Sequence, residues 1–277
     1  MIDLTVNQEK CIQCGECAKD CPYSVIEFAP GNYPRVRADR EDLCIRCQHC
    51  LAVCKPGALS ILGIDPEQCR PLKGNLPTAE EVETLIMGRR SVRLYKSKPV
   101  DNASIDRLLS VASNAPTGVN NRQVLFSVVR DRDVMDALRE EVYLALAEAI
   151  KNGDIPAGKE FFAAISRAWE TRGQDVLFRD APHLLVVSAP DICPTPEADG
   201  FIALSYVELL AQSMGIGTLW NGFVHWIFTQ IVPDLTRKLA LPKGNNIVYC
   251  MSFGYPAVHY HRVVDHQDAR IAEIRWD

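Results

Sequence analysis

Residues 11–22 read CIQCGECAKDCP, and residues 44–56 read CIRCQHCLAVCKP. Each cysteine of the first stretch recurs 33 residues later: Cys11 as Cys44, Cys14 as Cys47, Cys17 as Cys50 and Cys21 as Cys54. No other feature limits the chain's folding as strongly, because so many thiols in so short a span must be cross-linked or bound to metal. Eight of the eleven cysteines fall here, in a chain of 277 residues. That clustering favours metal in a reducing cytosol over the disulfide scaffold of a short secreted chain. A period of 33 with no third copy and no paired-helix pattern argues against a solenoid.

Zinc also takes four thiolates, usually as two well-separated pairs around one tetrahedral ion. Three cysteines in succession at i, i+3 and i+6 suit it poorly. They suit a cubane, because a tight loop with two-residue gaps wraps three corners of one cube and sends the fourth cysteine to the neighbouring cluster. The spacing therefore predicts one 4Fe-4S cluster on Cys11, Cys14, Cys17 and Cys54, and a second on Cys44, Cys47, Cys50 and Cys21. Residues 1–62 resemble the bacterial two-cluster ferredoxins. The resemblance implies that YSVIEF and GALSIL, which follow the two motifs, form short strands over the clusters. One departure stands out: Cys21 precedes Pro22, whereas Cys54 precedes Lys55, whose N–H and charge are expected to raise the potential of the first cluster. Cys69, Cys193 and Cys250 lack partners at ligand spacing and read as ordinary thiols.

With 30 basic and 35 acidic side chains the formal charge is -5, and no basic patch suggests nucleic acid as a partner. The start MIDLTVNQEKC has no basic and apolar leader, and no apolar run approaches the roughly 18 residues that a bilayer crossing needs. A soluble, cytoplasmic protein with no membrane partner is expected.

Residues 63–78, GIDPEQCRPLKGNLPT, carry no apolar period and read as a linker. Thr78 with Glu81 forms a capping-box pattern, and Val82, Leu85 and Ile86 share one helical face, so a second domain spans 79–277. Ile105, Leu108, Leu109 and Ala112 mark another helix. VLFSVV, HLLVVSA and IVYCMSF read as strands, residues 199–214 as a long helix stopped by Gly215, and 132–180 as helical throughout. Few strands interspersed with many helices predict an α+β fold.

The nicotinamide fingerprint GxGxxG is absent, and GIGTLWNG at 215–222 follows a helix instead of opening one. GRRSVRLY at 88–95 puts Arg89, Arg90, Ser91 and Arg93 together, a set suited to phosphate or to a solvated helix terminus. RRSVR is followed in order by APTGVNN at 115–121, GIGTLW at 215–220 and FGYPAVHYHR at 253–262. Together these resemble the FMN-dependent nitroreductase family over nearly all of 79–277, and the whole chain resembles ferredoxin–nitroreductase fusions of anaerobic microbes.

The resemblance implies that Arg89, Ser91 and Arg262 hold the FMN phosphate with Arg90 beside them. It places Arg93 at the pyrimidine edge of the ring, where a cation stabilises the reduced flavin and supports catalysis. Pro116, Thr117, Gly118 and Asn120 would border the ring, from the other subunit of a homodimer. Gly215 and Gly217 would let the backbone approach it, with Thr218 as a hydrogen-bond donor, although a plain helix stop and turn also accounts for the glycines. Relatives commonly read Gln-Pro where this chain has Arg122 and Gln123, so neither residue receives a role. Tyr206, His225 and Trp226 suit a substrate pocket, but core packing suits them better.

On this reading electrons enter from ferredoxin or another low-potential reductase, pass through the clusters to FMN and leave to a small electron-poor acceptor. A nitroaromatic, quinone, activated alkene, free flavin or halogenated aromatic would serve. Exposed iron and sulfur suit an anaerobe. The rivals are a non-catalytic redox sensor or carrier, and a zinc-stabilised interaction module.

Overall fold

Strand HLLVVSA is apolar at every position, and a strand so composed must be covered on both faces. The computed structural model, which describes residues 2–265 and 269–276, places it at the middle of the second unit as β6 (His183–Pro190). It pairs antiparallel with β5 (Leu125–Val129) on one side and β8 (Asn245–Gly254) on the other, and β7 (Gly217–Trp220) completes the order β5-β6-β8-β7. Leu184 and Val186 point to a core shared with α5 (Arg132–Asn152) and α6 (Phe162–Arg172). Leu185, Val187 and Ala189 point the other way, to α4 (Asn102–Ala112) and α7 (Pro196–Ser213). Helices thus cover both faces of one antiparallel sheet, the α+β arrangement that the sequence predicts.

His183 at the start of β6 is fully buried. Its Nε2 accepts from the Val100 N–H at 2.8 Å, its Nδ1 lies 3.1 Å from the Val129 carbonyl, and burial pushes its pKa below the usual imidazole range. It is a satisfied core histidine that clamps two neighbouring segments to the strand.

The reading of 132–180 as helical throughout is corrected. Gly153, at φ 79°, terminates α5 in the left-handed conformation that a side chain disfavours, and Pro156 and Gly158 keep the chain out of helix until Phe162. Gly173, at φ 61°, stops α6 in the same way. Helix α3 (Ala79–Gly88) starts at Thr78 with the predicted capping box, closed by both the Thr78 and the Glu81 side chains. Its apolar face is not buried, since Val82, Ile86 and Met87 remain exposed. Helix α8 (Gly222–Trp226) follows β7 directly and is capped by the buried Asn221.

The first unit is built on two antiparallel strand pairs. Strand β1 (Leu4–Val6) pairs with β4 (Leu59–Ile61), and β2 (Ile26–Glu27) pairs with β3 (Arg35–Val36). YSVIEF thus supplies only two strand residues. Two single-turn helices, α1 (Glu16–Lys19) and α2 (His49–Ala52), carry the third cysteine of each motif. By contact, Met1–Pro77 together with Val119–Asn121 make one unit, and Thr78–Gly118 with Arg122–Asp277 make the other. The segment expected as a linker therefore groups with the first unit as far as Pro77. Among the described residues no helix is long and apolar enough to cross a membrane.

Candidate cofactor sites

The sequence period of 33 is also a period of the backbone. Gln13 and Arg46 take left-handed φ values of 54° and 57°, Gly15 and Gln48 values of 72° and 62°, and Ser24 and Gly57 values of 52° and 61°. Such conformations cost energy outside glycine, and their repetition shows that each motif is wound the same way. Gln48 shows that a side chain can take this conformation, but a Cβ at Gly15 would lie 2.6 Å from the Phe28 ring, so the first motif needs glycine for space. The fourth sulfur of each motif receives the same bond: the Val25 N–H donates to Cys21 Sγ at 3.3 Å and the Ala58 N–H to Cys54 Sγ at 3.2 Å. Lys55 in place of proline leaves this pattern unchanged.

Two cavities separate the eight cysteines into the predicted sets. One is lined by Cys11, Cys14, Cys17 and Cys54 among Val6, Ile12, Pro56 and Leu59. The other is lined by Cys21, Cys44, Cys47 and Cys50 among Leu4, Val25, Ile26 and Ile61. Thiolates need compensating charge in such apolar walls: burial first, and then the neighbouring Cys47, Cys21 and Cys17, push the Cys50 thiol up to about 11. Four cysteines lining one apolar cavity, with an amide donor on the crossing sulfur, fit a cubane, whose cationic irons would supply that charge. Of the other three cysteines, Cys250 and Cys193 are buried and Cys69 is exposed.

In the second unit, three of the four predicted stretches meet. At the end of α3, Arg89 turns the chain into extended conformation. Ser91 bridges to Thr218 in β7, the Val92 N–H donates to the Thr218 carbonyl at 2.9 Å, and Tyr95 bridges to Pro256 after β8. Arg89 Nη1 donates to Glu208 Oε1 at 3.1 Å. Arg90 Nη1 donates to the carbonyls of Met87 at 2.7 Å and Arg89 at 2.6 Å, which leaves its Nη2 buried without a hydrogen-bond partner. A buried guanidinium nitrogen with no acceptor is costly and fits an anionic group such as the phosphate of a flavin nucleotide. Arg93 is exposed, with Nη1 3.4 Å from the Ser91 carbonyl. Arg262 is also exposed, and among the described residues it does not join the hydrogen-bonded group around Arg89.

The glycines have packing reasons of their own. A Cβ on Gly217 would lie 2.5 Å from the Val92 side chain, so its lack of one lets the arginine segment lie against β7. Gly215, at φ 70°, ends α7 in left-handed geometry. The Thr218 hydroxyl is turned to Glu208 at 3.4 Å. The fourth stretch is held by α7, where buried Asp199 accepts from the Gly118 N–H at 2.9 Å and from Thr195 Oγ1 at 2.8 Å. Pro116 is exposed, and Thr117 Oγ1 accepts from the Arg122 N–H at 3.0 Å. Asn120 belongs by contact to the first unit, and its side-chain amide donates to the Ile45 carbonyl at 2.7 Å.

Tyr206 is exposed, His225 stacks on Tyr249 with its Nδ1 buried and unpartnered, and Trp226 packs on Phe161 and Phe223. His225 and Trp226 thus sit in packing environments, whereas the expectation of core packing for Tyr206 is corrected, since its side chain faces solvent. A groove of about 480 Å³ between β5 and α5 contains none of the predicted site residues.

The profile of the nitroreductase family matches residues 86–255, and that of the 4Fe-4S dicluster domain matches residues 10–59. A protein of Archaeoglobus fulgidus provisionally named an NADH dehydrogenase/NAD(P)H nitroreductase is 24% identical over 181 residues, covering 64% of this chain and 86% of its own. A Danio rerio iodotyrosine deiodinase is 38% identical over 212 residues, covering 72% and 65%. Among solved structures, a nitroreductase with bound FMN from Bacteroides fragilis superposes with a TM-score of 0.56 at 22% identity, over 70% of this chain and 99% of that one. The chain belongs to the nitroreductase family and carries a 4Fe-4S dicluster domain ahead of its nitroreductase domain.

Proposed function

We propose that the chain is an FMN-dependent oxidoreductase that takes electrons from a low-potential donor through its two clusters and delivers them in pairs to an electron-poor organic acceptor. The observation that carries this reading is the presence, in one nitroreductase-family chain, of two apolar cavities each lined by four cysteines. FMN, when bound, supplies the exchange between one-electron and two-electron chemistry. Arg90 Nη2 and the free N–H groups of Arg89 would hold its phosphate with the Ser91 hydroxyl, and Arg262 would have to swing in to join them. Arg93 would stabilise negative charge on the reduced ring, while Pro116, Thr117, Gly118 and Asn120 border it and Gly215, Gly217 and Thr218 form the wall beside it.

A homodimer is part of this proposal. The exposed Val82, Ile86 and Met87 of α3, with Ile271, Ile274 and Trp276 of the C-terminal segment 84 to 96% exposed, form apolar surface that a second copy would cover. The likeness to an iodotyrosine deiodinase keeps halogenated aromatics among the acceptors, beside nitroaromatics, quinones and activated alkenes.

Steady-state assays with chemically reduced ferredoxin and a panel of these acceptors test the proposal. An enzyme turns over acceptor in large excess of its own concentration. Consumption that stops once the bound cofactors are oxidised would identify a sensor or carrier instead.

A further inference from the structure

Helix α7 carries a carboxylate in an unexpected place. Glu208 shares the buried side of the helix with Leu204, Val207 and Ala211, and only 7% of it is exposed. A charge there is tolerated only when it is paired and hydrogen-bonded. Both donors meet the same oxygen: Arg89 Nη1 at 3.1 Å and Thr218 Oγ1 at 3.4 Å, the one from the arginine segment and the other from β7. These two segments are themselves joined by the Ser91–Thr218 bridge and the Val92-to-Thr218 hydrogen bond. Glu208 therefore lies beneath a seam whose upper side carries the candidate phosphate donors.

The consequences for Arg89 are specific. A free arginine side chain samples many rotamers, and ordering it when a ligand binds opposes binding. Here one Nη is already fixed from below, while the side chain is still 35% exposed. The remaining N–H groups of the fork are thereby oriented in advance. The carboxylate also offsets one of the positive charges that Arg89, Arg90 and Arg93 bring together.

We infer that Glu208 is the positioning residue for the flavin phosphate: it touches no part of the cofactor but fixes the Arg89 guanidinium that does. This rests on the proposed reading of Arg89 as a phosphate ligand. Riboflavin, which has the same ring and no phosphate, separates this role from general support of the fold.

The full chain, stripped of flavin with its clusters intact, is titrated anaerobically with FMN and with riboflavin. Glu208→Ala is expected to weaken FMN about tenfold or more and riboflavin by less than about twofold, since one oriented charge-assisted contact is at stake. Glu208→Gln keeps an acceptor oxygen at the same reach and should retain the preference for FMN. Glu208→Asp keeps the charge but withdraws it by one methylene, and should lose the preference. If Glu208→Ala does not fold, this pair decides, and loss in Gln with retention in Asp overturns the inference. Parallel weakening of both ligands, or no change in either, overturns it as well. Arg89→Ala is the control: if it leaves the FMN preference intact, the phosphate reading itself fails. If it abolishes the preference while Glu208→Ala does not, only the positioning role fails.

Discussion

The double variant Arg89→Ala/Arg90→Ala is expected to emerge from anaerobic purification without flavin but with its full complement of iron. Each guanidinium–phosphate contact is a charge-assisted hydrogen bond worth about 1.5–3 kcal/mol, so removing two should weaken FMN by at least about a hundredfold. Arg90 is the sharper half of the pair. Its Nη1 is consumed by the Met87 and Arg89 carbonyls, which hold the buried and unpartnered Nη2 in place. Flavin and iron contents of the purified protein check this, and retention of stoichiometric FMN would show that the phosphate lies elsewhere. Iron should not respond, because all eight cysteines proposed as cluster ligands lie within residues 11–54.

The largest loss of stability is expected at Asp175. Its carboxylate is fully buried and accepts four hydrogen bonds: Arg139 Nε at 2.7 Å, Tyr143 Oη at 3.0 Å, the Phe178 N–H at 2.8 Å and the Asp180 N–H at 2.9 Å. Arg139 is also paired with Asp136 and donates to the Ala181 carbonyl at 2.9 Å. Burial, with Asp175 alongside, pushes the Tyr143 phenol well above its usual pKa, so it stays protonated and donates to the carboxylate. Its oxygen accepts in turn from the Val176 and Leu177 N–H groups. Asp175→Ala leaves a buried guanidinium with its main partner gone, a change that costs about 3–5 kcal/mol. Denaturant unfolding followed by near-ultraviolet circular dichroism of the flavin domain measures it. A loss below about 1 kcal/mol, the range of an exposed pair, would mean that the site is open to water. The network also bears on the flavin side, since Asn221, which caps α8 just after β7, donates from Nδ2 to the Leu177 carbonyl at 2.9 Å.

Much of this was legible in the sequence because the relevant patterns are local. Cysteine spacing fixes which thiols can share a cube, and the two cavities sort the eight residues as the spacing requires. The continuous apolar run of β6 announces a strand covered on both faces, and the Thr78–Glu81 pair announces a helix start. Gly153, Pro156 and Gly158 are a local break signal that the reading of 132–180 as one helical stretch leaves out.

What escaped depends on contacts between distant segments. Glu208 and Asp199 look like ordinary helical carboxylates in one dimension. Their importance comes from the N–H and guanidinium groups that the sheet topology brings against α7. Gly217 reads as room for a ring, yet the nearest claimant to that space is Val92. Arg262 carries a motif match but, after β8, no local pattern determines where it docks.

On the proposed reading, iron–sulfur clusters and a flavin share this chain and exchange electrons. Anaerobically purified protein, assayed for iron, sulfide and FMN and then reduced stepwise under combined absorbance and electron spin resonance, tests it most directly. Eight irons and eight sulfides with one FMN per chain are expected, with bleaching of the flavin band fed by electrons that first enter the clusters. Protein that holds both clusters but no tightly bound FMN, or a flavin that stays oxidised while the clusters are fully reduced, would contradict it.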